Sequence, residues 1–358
     1  MTGKHLKFLA VLTVRNEGAF LLEWLAHHRA VGFTDFLVFS NDCQDGTDDL
    51  LDRLQSLGHL THIRNDGPYD KGGIQFTALK MGDKLDIVKN ADWILALDVD
   101  EFVNIHVGDG TLPDLLGALP DASAITLTWR LFGNAGVVHY NDAPITGVFT
   151  RAAPVEMYWP WRSAMFKTLY RNDGTYGKLG VHRPRQPDKS RLDSARWFDG
   201  EGRALDDKFK TTRIFSNYGR SNYALVQLNH YPLGAMESYI LKADRGRAVH
   251  SDHMLGADYW VERNFCTDED TTIARLATGT AAELAHLESD KALEELHNQA
   301  VKWRHARFDQ LMLREPFRAL FGRLLMAPPS HPVTAPAAKF MVRYANLARK
   351  QTDAKAAK

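Results

Sequence analysis

Residues 93–101 read Trp93-Ile94-Leu95-Ala96-Leu97-Asp98-Val99-Asp100-Glu101, an apolar run that ends on acidic side chains. The apolar run predicts a buried β-strand. Because side chains alternate along a strand, Asp98 and Asp100 are expected on the same side of the backbone. Two carboxylates held that close repel each other unless a cation lies between them. The stretch therefore predicts a divalent-metal site at the carboxyl edge of an α/β sheet, where ligands of such sheets usually bind.

The chain before this stretch alternates between strand and helix patterns. Strand-like segments at 8–14, 36–39 and 59–63 predict three further strands. Apolar residues at helical spacing lie between them, and 74–89 is predicted to be helical. This order predicts an α/β fold with a mostly parallel sheet and helices on both of its faces. No Gly-x-Gly-x-x-Gly motif follows the first strand, which excludes the dinucleotide-binding fingerprint.

The composition narrows the class of protein. Lys and Arg together number 44, as do Asp and Glu, and this balance argues against a nucleic-acid binder that neutralises phosphates. Cys43 and Cys266 are the only cysteines, which suits a reducing compartment better than a disulfide scaffold. We find no signal-peptide pattern and no run of the ~20 apolar residues that a membrane span needs. The expected location is cytoplasmic, with peripheral attachment to the inner face of the membrane left open.

Three motifs in the first hundred residues, taken in order, resemble glycosyltransferase family 2. They are Thr13-Val14-Arg15-Asn16-Glu17, the segment 41–47 that ends in Asp-Gly-Thr, and Asp98-Val99-Asp100-Glu101-Phe102, which looks like the DxD metal motif of that family. Further motifs resemble more specifically the bacterial branch close to glycosyltransferase family 92. They are Trp129–Asn134, Val181–Pro184, and His230-Tyr231 followed by Ser238, Lys242, Arg245 and Gly246. The resemblance covers roughly residues 6–250.

The resemblance implies a GT-A fold and a transferase that uses a nucleotide diphosphate sugar with Mn²⁺ or Mg²⁺. Residues 1–118 would form the nucleotide-sugar-binding half, and 119–250 the acceptor-binding half with a phosphate-contacting segment. Residues 251–358 are predicted to form a helical extension with a frayed tail. Candidate strands in the middle part lie at 124–129, 148–150, 165–170, 178–181 and 225–228.

Glycosyl transfer from a nucleotide needs positive charge at the departing diphosphate. Asp98 and Asp100 would supply it through a bound metal ion. His230 follows an apolar strand and is the candidate third ligand, which would favour Mn²⁺ over Mg²⁺. The alternative for His230 is a buried structural histidine. Lys242 and Arg245 share a helix face and would clamp the diphosphate, unless they form an ordinary solvated basic face.

The two strand-end loops would hold the nucleotide. These candidates for nucleotide contact are Thr13, Arg15, Asn16, Glu17, Asn41, Asp42 and, on the next helix, Gln75. The alternative for the loop residues is helix capping. The candidates for acceptor contact are Trp129, Arg130, Phe132, Asn134 and His182. The alternative for Trp129 is a place in the core. Among five acidic residues of the acceptor half, Glu156 is the favoured general base for the acceptor hydroxyl.

The leading hypothesis is a metal-dependent glycosyltransferase of inverting type that acts on a hydroxyl of a glycan, such as a polysaccharide, or of a related acceptor. A nucleotidyltransferase would use the same strand-end carboxylates. It would also be expected to carry a Gly- and Lys/Arg-rich loop near the start of the chain, which 13–20 matches poorly. A non-catalytic sugar- or nucleotide-binding module is the third hypothesis, and the intact acidic pair argues against it.

Overall fold

The computed structural model describes residues 5–69, 72–245 and 255–356, and the side chains up to residue 352. The strands are β1 (Phe8–Val14), β2 (Asp35–Ser40), β3 (Thr61–Arg64), β4 (Trp93–Leu97), β5 (Glu101–Ile105), β6 (Ala124–Leu131), β7 (Arg151–Ala152), β8 (Phe166–Arg171), β9 (Tyr176–Lys178), β10 (Arg185–Pro187), β11 (Trp197–Asp199), β12 (Val226–His230) and β13 (Asp268–Glu269). Within the described ranges, nine of them form one sheet in the order β3-β2-β1-β4-β8-β6-β12-β5, with β11 beside β6.

Helices surround this sheet. They are α1 (Gly18–Val31), α2 (Thr47–Ser56), α3 (Ile74–Gly82), α4 (Asp86–Lys89), α5 (Leu112–Ala118), α6 (Ile145–Val148), α7 (Lys189–Leu192), α8 (Asp207–Thr211), α9 (Met236–Arg245), α10 (Ala257–Val261), α11 (Ala277–Glu288), α12 (Lys291–Met312), α13 (Glu315–Met326) and α14 (Ala335–Ala356). Two short 3₁₀ helices lie at Trp161–Ala164 and Thr272–Leu276. In the part of the chain that the structure describes, no helix is both long enough and apolar enough to cross a bilayer.

The direction of the strands determines where the functional loops meet. β1 to β4 run parallel to one another, and β8 runs antiparallel between β4 and β6. β12 is parallel to β6, while β5 closes the sheet antiparallel to β12. The carboxyl ends of β1, β2, β4, β6 and β12 therefore share one edge with the amino end of β8. The predicted α/β class with a mostly parallel sheet is confirmed.

Both faces of the sheet are covered by helices, as predicted. Along β1, Ala10 and Leu12 belong to the apolar cluster under α1, whereas Leu9 and Val11 belong to the cluster under α3. This alternation follows from the two-residue period of a strand. α1 contributes Leu21, Leu25 and neighbouring side chains to the first cluster, and α3 contributes Ala78 and Leu79 to the second.

The helix predicted over 74–89 and the strand predicted over 178–181 both differ from the structure. The Asp83 carboxylate accepts a hydrogen bond from the backbone N–H of Leu179 at 2.8 Å. The helix predicted over 74–89 is interrupted between α3 and α4, where Leu85 adopts an extended backbone conformation. The strand predicted over 178–181 ends at Lys178, because the Leu179 N–H is used by this carboxylate and not by a strand partner.

The strand predicted at 148–150 is wrong, since Val148 ends the short helix α6. The buried Glu23 carboxylate accepts hydrogen bonds from the backbone N–H groups of Ile145 and Thr146, at 2.8 and 3.1 Å. These are the free N–H groups of a helix start, and a carboxylate stabilises them.

The C-terminal helices pack directly on the elements that carry the candidate site. α11 and α12 contact α1, and α12 and α13 contact α9. Apolar side chains of α9, such as Tyr239 and Ile240, share a cluster with Leu311, Phe317 and neighbouring residues. The predicted helical extension is thus present. α14 extends to Ala356, so most of the tail predicted to fray is helical, and residues 357–358 lie outside the described residues.

Two buried histidines join α1 to β5. The Nε2 atom of His27 lies 2.8 Å from the carbonyl oxygen of Val103, and the N–H of Val103 donates to His28 Nε2 at 3.4 Å. Within α1, His28 Nδ1 lies 2.8 Å from the carbonyl oxygen of Trp24. Burial lowers the pKa of His27 to about 4 and that of His28 well below its usual range. Both rings are therefore neutral at pH 7, and each donates a proton to its carbonyl.

We predict that stability falls as the pH drops from 7 to 5. A histidine with a depressed folded-state pKa stabilises the fold above its unfolded pKa, and this contribution is lost as the pH falls towards the folded value. For His27 the loss between pH 7 and pH 5 amounts to about 2 kcal/mol. Urea unfolding at both pH values should show this loss in the wild type and a smaller one in His27→Gln. The exposed-site control His331→Gln should behave as wild type, and an equal loss in all three would contradict the prediction.

Candidate active site

Asp98 and Asp100 lie in a tight turn between β4 and β5. The backbone N–H of Glu101 donates to the carbonyl oxygen of Asp98 at 3.0 Å, and the N–H of Asp98 donates to the Glu101 carboxylate at 2.8 Å. The chain thus reverses immediately after Leu97 and does not continue as a strand. Strand alternation, from which we expected both carboxylates on one side, does not position them. Each carboxylate contacts a different lysine.

The first carboxylate belongs to a buried cluster. Lys167 Nζ lies 3.0 Å from Asp98 Oδ2 and 3.4 Å from Glu101 Oε2. Gln75, predicted to contact the nucleotide, donates instead to Asp98 Oδ1 at 3.1 Å. Lys167 reaches this position because β8 runs antiparallel to β4. Ile94 pairs with Tyr170, so three residues further along, Lys167 lies beside Leu97.

Glu101 is fully buried beneath the turn. Its carboxylate accepts a hydrogen bond from the indole N–H of Trp129 at 2.6 Å. Burial raises the pKa of Glu101 to about 8, although the nearby Lys167 opposes this shift. Burial alone would lower the pKa of Lys167, but Asp98 and Glu101 outweigh it and raise that pKa. Lys167 therefore carries the positive charge that allows acidic groups to be buried here.

The second carboxylate faces the opposite direction. Lys242 Nζ donates to Asp100 Oδ2 at 2.7 Å and to the carbonyl oxygen of Pro232 at 2.7 Å. His230 Nε2 lies 3.7 Å from Asp100 Oδ1. Burial raises the pKa of Asp100, but Lys242 and His230 outweigh it and hold that pKa well below its usual range. Asp100 is therefore an anion paired with one lysine through one oxygen.

Asp100 and His230 together fit a divalent cation. Burial lowers the pKa of His230, so the ring is neutral at pH 7 and able to bind a metal. Its Nδ1 is buried without a hydrogen-bond partner among the described residues, and the 3.7 Å between Nε2 and Asp100 Oδ1 exceeds a hydrogen bond. Metal bonds of ~2.0–2.2 Å to each atom would span that gap.

The described residues form no complete protein cage for a metal. Over the residues that the structure describes, no three His, Cys, Asp or Glu side chains converge as metal ligands would. Asp98, the other predicted ligand, is held by Gln75 and Lys167. The arrangement resembles the usual Mg²⁺ site, in which one or two protein ligands leave positions for water and substrate phosphates.

The β1 and β2 loops meet at the same edge, as expected for neighbouring parallel strands. The Asn41 side chain is 1% exposed, and it donates to the carbonyl oxygen of Val14 at 2.8 Å and accepts from Asn65 at 2.6 Å. Asn41 therefore joins the loops, and its burial leaves no exposed side-chain surface for a nucleotide. Asp42 is exposed, and its carboxylate accepts a hydrogen bond from the Tyr69 hydroxyl at 2.6 Å. Thr13 is half-buried at the end of β1.

Arg245 connects the end of α9 to the first loop. Its guanidinium pairs with the Glu17 carboxylate and donates to the carbonyl oxygen of Arg15 at 3.0 Å. Asn16 has a positive φ of 55°, and its side-chain oxygen accepts from the Gln44 N–H at 2.7 Å. Three of the predicted nucleotide contacts, Arg15, Asn16 and Glu17, are thus brought together with Arg245. Gly246, part of the same motif, lies outside the described residues.

Three predicted acceptor contacts are instead buried. Arg130 is 3% exposed and pairs with Asp268 at 2.9 Å, and Phe132 is 1% exposed. The Asn134 amide donates to the carbonyl oxygens of Val137 and Gly234, both at 2.7 Å. These side chains support β6 and its loop, so they offer no surface to a sugar.

Trp129 lies in the core, which was the alternative to acceptor contact, because it is 8% exposed and hydrogen-bonded to Glu101. Its ring lies 4.2 Å from that of His230 and 5.9 Å from that of His182, measured between centroids. His182 Nδ1 lies 3.0 Å from the carbonyl oxygen of Phe166, and burial lowers the pKa of His182 to about 4. Trp129 therefore fixes the ligand candidate His230 in place.

A pocket that is open to solvent lies beside Asp100. Its lining includes Asn16, Glu17, Phe20, Tyr140, Tyr231, Lys242, Asp244, Arg245, Trp303, Arg304 and Arg307. The exposed Glu156, our candidate base, is not among the lining residues.

Sequence analysis missed two parts of the candidate site, Lys167 and the side chains of α12. Lys167 could have been noticed as a charge inside an apolar strand, whereas nothing local distinguishes the side chains of α12.

Comparison with known proteins gives three findings. A family model described as glycosyltransferase family 92 matches residues 13–192. The chain is 27% identical over 143 residues to a glycosyltransferase family 92 protein of Oryza sativa subsp. japonica, covering 38% of this chain and 23% of that protein. It is 26% identical over 159 residues to one of Ricinus communis, covering 41% of this chain and 26% of that protein.

The chain thus spans about a quarter of the length of these two relatives. Among solved structures, S. aureus TarS in complex with UDP is 13% identical, with a TM-score of 0.34 and coverage of 84% of this chain and 92% of that one.

We predict that Lys167→Met lowers the free energy of unfolding by about 2 kcal/mol, because the partly exposed Asp98 and the fully buried Glu101 would both lose their hydrogen-bonding cation. Chemical denaturation would measure the change. Lys89→Met is the matched control, since its pair with Asp86 is exposed and should contribute less than about 1 kcal/mol. Equal effects of the two substitutions would show that the buried pair is not important for stability.

Proposed function

The chain belongs to glycosyltransferase family 92, and from this membership we propose that it transfers a sugar from a nucleotide diphosphate sugar to a hydroxyl of a glycan or related acceptor. The observation that carries the proposal is the charged edge of the pocket. There Asp100 lines the opening together with Lys242 and Arg245, and the buried His230 lies behind Asp100, with its Nε2 atom 3.7 Å from Asp100 Oδ1. Departing diphosphate needs such a group of cationic donors.

We propose that Asp100 and His230 hold Mn²⁺ or Mg²⁺. When bound, the ion would act as a Lewis acid on the diphosphate. Asp98 adds negative charge nearby, with its two oxygens held by Gln75 and Lys167. Lys242 is hydrogen-bonded to Asp100 Oδ2, whereas His230 lies nearest Asp100 Oδ1. The ion pair with Lys242 and the proposed metal bond would therefore use different oxygen atoms.

The chain's own cations would bind the diphosphate. Lys242 Nζ and the Arg245 guanidinium line the pocket beside Asp100. Arg245 is also bonded to the loop after β1, so it links the diphosphate region to Arg15 and Asn16. We assign nucleoside contacts to Thr13, Arg15, Asn16 and the exposed Asp42. Holding the donor in one register accounts for a large part of such catalysis.

An inverting mechanism requires a base at the acceptor hydroxyl. Two pocket carboxylates, Glu17 and Asp244, are each paired with an arginine. Glu156 remains the proposed base on sequence grounds alone. We further propose a cytoplasmic location, which the free thiols of Cys43 and Cys266 support.

We predict that Mn²⁺ and a nucleoside diphosphate together raise the melting temperature by several degrees, more than either alone. A ligand at a hundred times its Kd stabilises by about 2.7 kcal/mol. The assay is thermal unfolding with UDP, GDP, CDP, ADP and TDP, each with and without Mn²⁺. No added stabilisation by Mn²⁺ with any nucleotide would refute the metal site, and no nucleotide effect at all would refute the donor proposal.

We predict that Asp100→Asn lowers the rate of nucleotide-sugar turnover by about 10²–10³-fold, because the substitution weakens the proposed metal site that would place positive charge next to the departing diphosphate. Release of nucleoside diphosphate by hydrolysis of the donor provides the measurement, so the acceptor need not be known. Asp86→Asn, whose side chain is 85% exposed, is the matched control and should retain the wild-type rate. Unchanged turnover in Asp100→Asn, with an unchanged melting temperature, would place the chemistry elsewhere.

A further inference from the structure

The pocket is lined by more Lys and Arg side chains than carboxylates. The lining cations are Lys242, Arg245, Arg304 and Arg307, and the lining carboxylates are Glu17, Asp100 and Asp244. Lys242 pairs with Asp100 at 2.7 Å. Arg245 pairs with Glu17, and Arg307 pairs with Asp244 at 2.6 Å. Every carboxylate in the lining is thus taken, and Arg304 is the cation left over.

Arg304 is buried without a counter-ion. Its side chain lies on α12 and is 5% exposed, yet no carboxylate of the described residues lies within ion-pair distance. The Nη2 atom of Arg304 donates to the Ser238 hydroxyl at 2.9 Å, and the Nε atom has no hydrogen-bond partner among the described residues. Burial lowers the pKa of Arg304, although guanidinium remains charged at any physiological pH. An unpaired buried charge is costly unless a ligand supplies its partner.

Two aromatic rings hold the guanidinium in a fixed position. Its central carbon lies 4.4 Å from the ring centre of Phe20 and 4.8 Å from that of Tyr140. Both rings line the pocket, as do Tyr231 and Trp303. Cation–π contacts keep a guanidinium oriented without consuming its N–H donors. The pocket therefore combines an oriented, partly unused donor group with flat apolar surfaces.

We propose that Arg304 binds an anionic group, a carboxylate or a phosphate, carried by the acceptor sugar. This inference rests on the proposed function. Guanidinium binds both groups through paired N–H donors, and the aromatic rings suit the C–H face of a sugar. The donor diphosphate is the less favoured occupant, because Lys242 and Arg245 already lie beside Asp100. Arg304 also lies outside residues 13–192, the part that the family model matches.

Sulfate is a suitable probe of this site, because it is a simple oxyanion. The full chain is first saturated with Mn²⁺ and the nucleoside diphosphate that stabilises it most, and sodium sulfate is then compared with sodium chloride at equal ionic strength. We expect sulfate to raise the melting temperature of the wild type by about 2 °C more than it raises that of Arg304→Met. Equal shifts in the two proteins would overturn the proposal.

Lys302→Met is the matched control, since it removes one positive charge from the exposed side of the same helix. It should keep the full wild-type sulfate shift, and a loss equal to that of Arg304→Met would also overturn the proposal. Arg304→Lys keeps the charge without the planar fork and should show a reduced shift. If Arg304→Met fails to fold, an undiminished shift in Arg304→Lys decides against the proposal.

The affinity for the nucleoside diphosphate separates the acceptor from the donor. Arg304→Met should bind it within about twofold of the wild type, and a tenfold loss would place Arg304 at the diphosphate and overturn the acceptor assignment. Failure of the wild type to bind any nucleotide would refute the proposed function instead. The sulfate comparison without nucleotide would then still show whether Arg304 forms an anion site.

Discussion

The turn between β4 and β5 carries two carboxylates, and two lysines from distant segments neutralise them. Lys167 comes from antiparallel β8 and lies 3.0 Å from Asp98, and Lys242 comes from α9 and lies 2.7 Å from Asp100. Removing either lysine would leave one carboxylate of the turn without its cationic partner. The turn thus links β8 of the central sheet to α9 beside the pocket.

The same charge balance suits the proposed chemistry. Charged groups that are already oriented and removed from water stabilise developing charge without further rearrangement. Lys242 is such a group, since it lies in the pocket and its two bonds to Asp100 and Pro232 hold it in place. Arg304 differs because no carboxylate of the described residues pairs with it, and we propose that a ligand supplies the anion. In the part of the pocket beside Asp100, cations and carboxylates are thus paired. On α12, Arg304 has no carboxylate partner among the described residues.

The sequence predicted more of the sheet than of the site. Apolar runs identified β1, β2 and β4. His230, the proposed metal ligand, lies 3.7 Å from Asp100, because parallel strands end at one edge. The prediction of an acceptor-binding surface was less accurate. Arg130 and Phe132 follow a motif that specifies residue types, but the burial of β6 depends on segments far along the chain, such as the one that carries Asp268.

Local pattern by itself determined the α/β class, the order of the early strands and the polar residues that follow them. Periodicity and apolarity act among neighbours, so they can be recognised in one sequence. Only the tertiary structure decided that Lys167 meets Asp98, 69 residues away, and that Arg304 meets Ser238, 66 residues away. Such contacts depend on how strands and helices pack in three dimensions, and no pattern of adjacent residues encodes which charge will find a partner and which will not.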